Sequence, residues 1–72
     1  GLYEKCIDAC QIALELRPNY AEAYNNICTA HNQLKEFEKA KSACEKALAI
    51  KPNYELANGN LNWSLQQLKA AQ

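Results

Sequence analysis

At 72 residues, the chain can form one compact unit but not a conventional globule with a large core. Eight Lys plus Arg balance eight Asp plus Glu, which removes the electrostatic case for a nucleic-acid or anionic-membrane partner. No apolar run approaches the roughly 20 residues of a membrane span, and no signal-peptide pattern opens the chain. Twelve Ala and nine Leu against no Val and two Gly favour helix, because unbranched side chains lose little rotamer freedom there. The chain starts at Gly1 and holds no Met, as expected of a segment cut from a longer polypeptide.

Residues 2–16 place Tyr3, Cys6, Cys10, Ala13 and Leu14 on one helical face. Pro18 disfavours helix in the residue before it and so ends this element. Residues 21–34 align Ala23, Tyr24, Ile27, Cys28, His31 and Leu34, the spacing of a second helix. Residues 37–50 align Phe37, Ala40, Cys44, Ala47, Leu48 and Ile50, and Pro52 closes this third helix. Residues 55–69 carry Ala57, Leu61, Leu65 and Leu68 on a fourth. Short turns make each helix antiparallel to its neighbour.

The phrases Arg17-Pro18-Asn19-Tyr20 and Lys51-Pro52-Asn53-Tyr54 lie 34 residues apart, and that offset gives 14 identities over 38 overlapping positions. A fixed period in this range is the signature of a solenoid. The stretch Ala21–Tyr54 resembles one complete tetratricopeptide repeat. Tyr24 stands at the family's large aromatic, followed by the core aliphatic Ile27. Phe37 opens the second helix of the repeat, Ala40 and Ala47 hold the small contact positions, and Pro52 closes it. The sequence departs from the family pattern at His31 for an aromatic, at Cys28 for a smaller residue and at Lys35 for a frequent glycine.

The resemblance implies an all-α fold of antiparallel helix-turn-helix repeats stacked as a right-handed solenoid, one domain over residues 1–72. Residues 1–20 would be the second helix of a preceding repeat and 21–54 a complete repeat. Residues 55–72 would be the first helix of a following repeat or a C-terminal cap. Asn58 and Asn62 stand where the second helix has Tyr24 and Cys28, and polar residues there suit a cap.

The resemblance also implies a non-catalytic scaffold for a protein or peptide partner, with no nucleic acid or membrane. First-helix stripes of such repeats line a concave groove. Here they are Glu22, Asn25, Asn26, Thr29 and Gln33, then Leu56, Gly59, Asn60, Trp63 and Gln67. Asn26 and Asn60 match the asparagine place of the chaperone-binding subgroup, but Glu22 and Leu56 take its lysine place, which argues against carboxylate capture. The pair resembles the groove asparagines that grip a peptide backbone in protein O-glycosyltransferases; the plain alternative is soluble surface Asn. Trp63 is either a partner anchor or a lid over Leu56 or the last turn, shielding the terminal core. The competing reading is self-association to a homo-oligomer through Ile7, Ile12 and Leu16 of the first helix.

All four cysteines fall on apolar stripes, which suits reduced core thiols and a cytoplasmic setting. The alternative is a zinc site from Cys6, Cys10, Cys28 and His31. No cofactor is otherwise expected. One His, one Asp and no Gly-rich phosphate loop leave no catalytic constellation. The sequon Asn62-Trp63-Ser64 lies inside an expected helix and reads as coincidence.

Overall fold

The computed structural model describes residues 1–71; Gln72, the last residue of the expected 55–72 unit, lies outside them. The chain forms α1 (Leu2–Leu16), α2 (Ala21–Gln33), α3 (Phe37–Ile50) and α4 (Glu55–Ala70), with no strand among the described residues. The two linkers with proline are built alike. Tyr20 N–H donates to the Arg17 carbonyl at 3.1 Å and Tyr54 N–H to the Lys51 carbonyl at 3.1 Å. Each is a four-residue turn with Pro at its second position, where a fixed φ is already correct. Arg17 and Lys51 close helices α1 and α3 by donating to the Ala13 and Ala47 carbonyls. Each cation then lies over the following tyrosine ring, at 4.4 Å for Arg17 on Tyr20 and 4.6 Å for Lys51 on Tyr54.

The third linker differs. Glu36 N–H donates to the His31 carbonyl and Lys35 N–H to the Asn32 carbonyl, a paired closure of the α2 C-terminus. This closure needs a left-handed residue, and Lys35 supplies it at φ 61°. Glycine would adopt that conformation without the steric cost that a Cβ carries. The turn is therefore as tight as the glycine version, at the expense of a strained lysine.

Helices α2 and α4 form one layer and α1 and α3 the other. Helix α2 packs on all three of the others, whereas α1 packs against neither α3 nor α4. The core lies between α2 and α3 around Ile27, Cys28, Ala40, Ala43 and Cys44, with Cys10, Leu14 and Leu61 packed on it. Ala23, Ala40, Ala47 and Ala57 are buried at the crossings, where a Cβ is the largest group that fits between close helices.

Three sequence expectations are corrected here. Cys28 and Cys44 form a disulfide between α2 and α3, with Cα atoms 5.4 Å apart. The four-thiol core is thus two free thiols, Cys6 and Cys10, and one bridge. The argument for a cytoplasmic setting from unpaired cysteines loses its premise. The zinc alternative loses its Cys28 thiolate, and among the described residues no three His, Cys, Asp or Glu side chains are grouped to hold a metal. Third, Ile7, expected on an exposed self-association face, is only 9% exposed, while Ile12 and Leu16 stand open at 59% and 80%.

Gly59 lies in the interior of α4, and a Cβ built on it meets no atom within 4 Å. Gly59→Ala is expected to stabilise the fold by about 1 kcal/mol, the helix-propensity difference. A rise in the urea midpoint at constant slope would show it.

Candidate functional site

Helix α2 is covered by its three neighbours on every side but one. The side chains left exposed on it are Glu22, Asn26, Thr29 and Gln33, at helical spacing. The equivalent row on α4 is Leu56, Asn60, Trp63 and Gln67, with Asn60 and Gln67 half-buried. Two large apolar side chains stand out of this surface, Leu56 at 68% and Trp63 at 52% exposure. They are seven residues apart, two helical turns, so they project on the same side of α4. With both this open, Trp63 does not seal Leu56 from solvent.

Asn25 does not belong to the exposed row. It is 6% exposed and turned toward α4, where its Oδ1 accepts from Asn60 Nδ2 at 2.9 Å. The second N–H of Asn60 goes to Thr29 Oγ1, also at 2.9 Å, and Thr29 in turn donates to the Asn25 carbonyl. Both amide hydrogens of Asn60 are therefore held inside the protein, leaving its Oδ1 to meet an incoming N–H.

A second link lies deeper. Ser64 Oγ donates to Asn32 Oδ1 at 2.7 Å, and Asn32 Nδ2 donates to the Asn60 carbonyl at 3.2 Å. Asn32 also reaches Cys28 Sγ at 3.8 Å, so the polar ladder touches the bridge. No side-chain N or O among the described buried groups is left without a partner. The joint between α2 and α4 is thus a hydrogen-bonded seam. Nothing in the apolar periodicity marks Asn32 or Ser64; only their place on the covered sides of α2 and α4 could have flagged them.

Electrostatics add little charge to the exposed row. Glu22 is paired with Lys51 at 3.8 Å, and Thr29, Gln33, Leu56, Asn60, Trp63 and Gln67 are neutral. Burial first, and then the Glu22 carboxylate, push the Tyr54 hydroxyl above its ordinary pKa. On the other layer, burial and the neighbouring Cys6 raise Cys10, which keeps it a thiol rather than a reactive thiolate. His31 Nδ1 lies 2.9 Å from Glu36 Oε1, and that hydrogen bond lowers the Glu36 pKa. His31 is the floor of a cleft of about 260 Å³ between α1 and α3, with Lys39 and Lys46 on one wall. No nucleophile–base pair forms there.

Residues 21–54 match the family profile described as tetratricopeptide repeat. That span covers α2, α3, the turn between them and the closing turn at Pro52, which are the helix pair and the closing proline expected from the sequence. Residues 21–54 are a tetratricopeptide repeat. The chain thus contains one tetratricopeptide repeat, with flanking helices that carry the same 34-residue period. Comparison of the chain with curated proteins finds no match. Tetratricopeptide repeats generally act as non-catalytic scaffolds for protein–protein interaction. No helix of the described residues is long and apolar enough to cross a membrane.

Proposed function

We propose that this tetratricopeptide fragment is a non-catalytic scaffold. It binds a peptide or helix of a partner protein along the exposed row of α2 and α4. The observation that carries this reading is Trp63, an exposed indole beside exposed Leu56 on an otherwise amide-rich surface. Trp is, with Tyr and Arg, enriched among energetically dominant interface positions. Asn26, Thr29, Gln33, Asn60 and Gln67 supply donors and acceptors for a partner backbone around it. Glu22 is held by Lys51 and leaves the row without a cation to clamp a terminal carboxylate. In this reading residues 1–20 and 55–72 are halves of neighbouring repeats that extend the same surface.

Trp63→Ala is expected to leave the melting temperature within about 2 °C, since about half of the residue stands open to solvent. It is expected to weaken the partner by about 2 kcal/mol, roughly 30-fold in Kd. Peptides from a display selection on the wild-type chain, titrated calorimetrically against both proteins, provide the measurement. Selected peptides that bind wild type and Trp63→Ala equally would remove Trp63 as the anchor.

A further inference from the structure

The hydrogen bonds of the α2·α4 joint fix which polar atoms are left facing the exposed row. Asn60 commits both amide hydrogens inside the protein, to Asn25 Oδ1 and Thr29 Oγ1, each at 2.9 Å. Thr29 commits its hydroxyl hydrogen to the Asn25 carbonyl at 3.1 Å. What these two side chains still offer outward is oxygen lone pairs, with no hydrogen to donate. Gripping a partner backbone takes an amide that both donates and accepts, and Asn60 can donate only by opening the joint. Trp63 follows Asn60 by one turn on the same side of α4. The rings of Tyr20, Tyr24 and Tyr54 each carry a cation of the chain, and among the described residues no such cation lies over Trp63. Glu22 begins the row on α2, and its 3.8 Å pair with Lys51 is about half open to water on both sides. This surface does not owe its exposure to the end of the chain. Glu22 and Thr29, the 34-residue equivalents of Leu56 and Trp63, stay exposed although α4 packs beside α2.

We infer that the partner segment held along this row is basic, with an arginine guanidinium laid on the Trp63 indole and its N–H groups donated to Asn60 Oδ1 and Thr29 Oγ1. This rests on the reading of the row as the binding surface and names the chemistry of its occupant. An indole face attracts a cation more strongly than the ring of Tyr or Phe does. A guanidinium is flat enough to stack on it and presents five donors and no acceptor, the complement of a patch that only accepts. Lysine brings the charge without the plane. A second basic residue of the partner meets Glu22, which lies two turns before Thr29 on α2. Two turns are about 10 Å, the length of roughly three residues of extended chain, so the two basic residues stand about three apart. Asn26, Gln33 and Gln67 can each donate or accept and suit the intervening backbone. An acidic segment would set carboxylates against Glu22 and two unmatched oxygens.

A random-peptide display library panned on the wild-type chain, with calorimetric titration of the selected peptides, tests this. The selected sequences are expected to be enriched in arginine, with a second basic residue three positions away. Replacing the first arginine by citrulline keeps its shape and removes its charge, and should weaken binding about tenfold. Lysine at that place should cost about threefold. Trp63→Leu keeps an apolar side chain but no π-face, and should erase most of the difference between the arginine and citrulline peptides. Glu22 is exposed, so Glu22→Gln should leave the circular dichroism unchanged. It should weaken the arginine peptide about threefold at low salt, and by less as salt is added. Peptides that lose affinity for Trp63→Ala yet show no arginine preference would overturn the basic-partner inference and leave the row as the binding surface. So would arginine and citrulline peptides of equal affinity. Peptides that bind Trp63→Ala as well as wild type would remove the surface itself, and this inference with it.

Discussion

Reduction of the Cys28–Cys44 bridge is expected to lower folding stability by about 3 kcal/mol. The bridge joins residues 16 apart in sequence, and closing a loop of that size removes roughly this much chain entropy from the unfolded state. A domain this small has about 4–11 kcal/mol in total, so the loss is a large share. The melting temperature should fall by about 12–24 °C. Both sulfurs are buried in the α2·α3 core, so a native-state reductant acts only when the two helices part. Two checks are needed. Under denaturing, non-reducing conditions two thiols should titrate, Cys6 and Cys10, and after reduction four. Four thiols before reduction would mean that the bridge is not formed. An unchanged melting temperature after full reduction would mean that the packing alone holds the hairpin.

Asn60→Leu is expected to cost close to 3 kcal/mol of stability. Asn60 is the hydrogen-bond donor to Asn25 Oδ1, which is buried at the α2·α4 joint, and it also donates to Thr29. Removing the amide leaves a buried acceptor without its partner, and stranded acceptors cost about 1–3 kcal/mol. Thr29 is exposed and can turn to water, whereas Asn25 cannot, which places the effect at the upper end. Asn26→Ala gives the contrast. Asn26 is the 34-residue equivalent of Asn60 but stands exposed, so its removal should shift stability by less than about 0.5 kcal/mol. Urea unfolding of the two variants measures the difference. Equal and small losses would show that the seam between α2 and α4 does not depend on its amides.

That pair of asparagines also divides what can be read from sequence from what cannot. Identity at a 34-residue offset puts Asn26 and Asn60 on the same stripe of equivalent helices, and the structure agrees. Whether an amide on that stripe is free or bonded depends on the neighbour across the joint. Helix α4 has α2 upstream and so engages Asn60; nothing among the described residues stands in that relation to Asn26. The helices themselves were legible because their causes are local. Pro18 and Pro52 stop α1 and α3, the apolar spacing is near 3.6, and Ala recurs at each crossing.

The bridge shows the opposite case. Four cysteines on apolar stripes read as reduced thiols, with zinc as the alternative, until the hairpin is closed. Cys28 and Cys44 each lie eight residues from Glu36, in the turn of the α2–α3 hairpin, and antiparallel packing brings such positions face to face. Ile7 illustrates the same limit. It sits where α3 has a lysine, which made it read as surplus surface, but α1 rotates it onto α2 and buries it. Periodicity assigns a residue to one side of its own helix. Which neighbour covers that side, and so which thiols pair, which amides are engaged and which apolar groups stay open, follows only from the packing of all four helices.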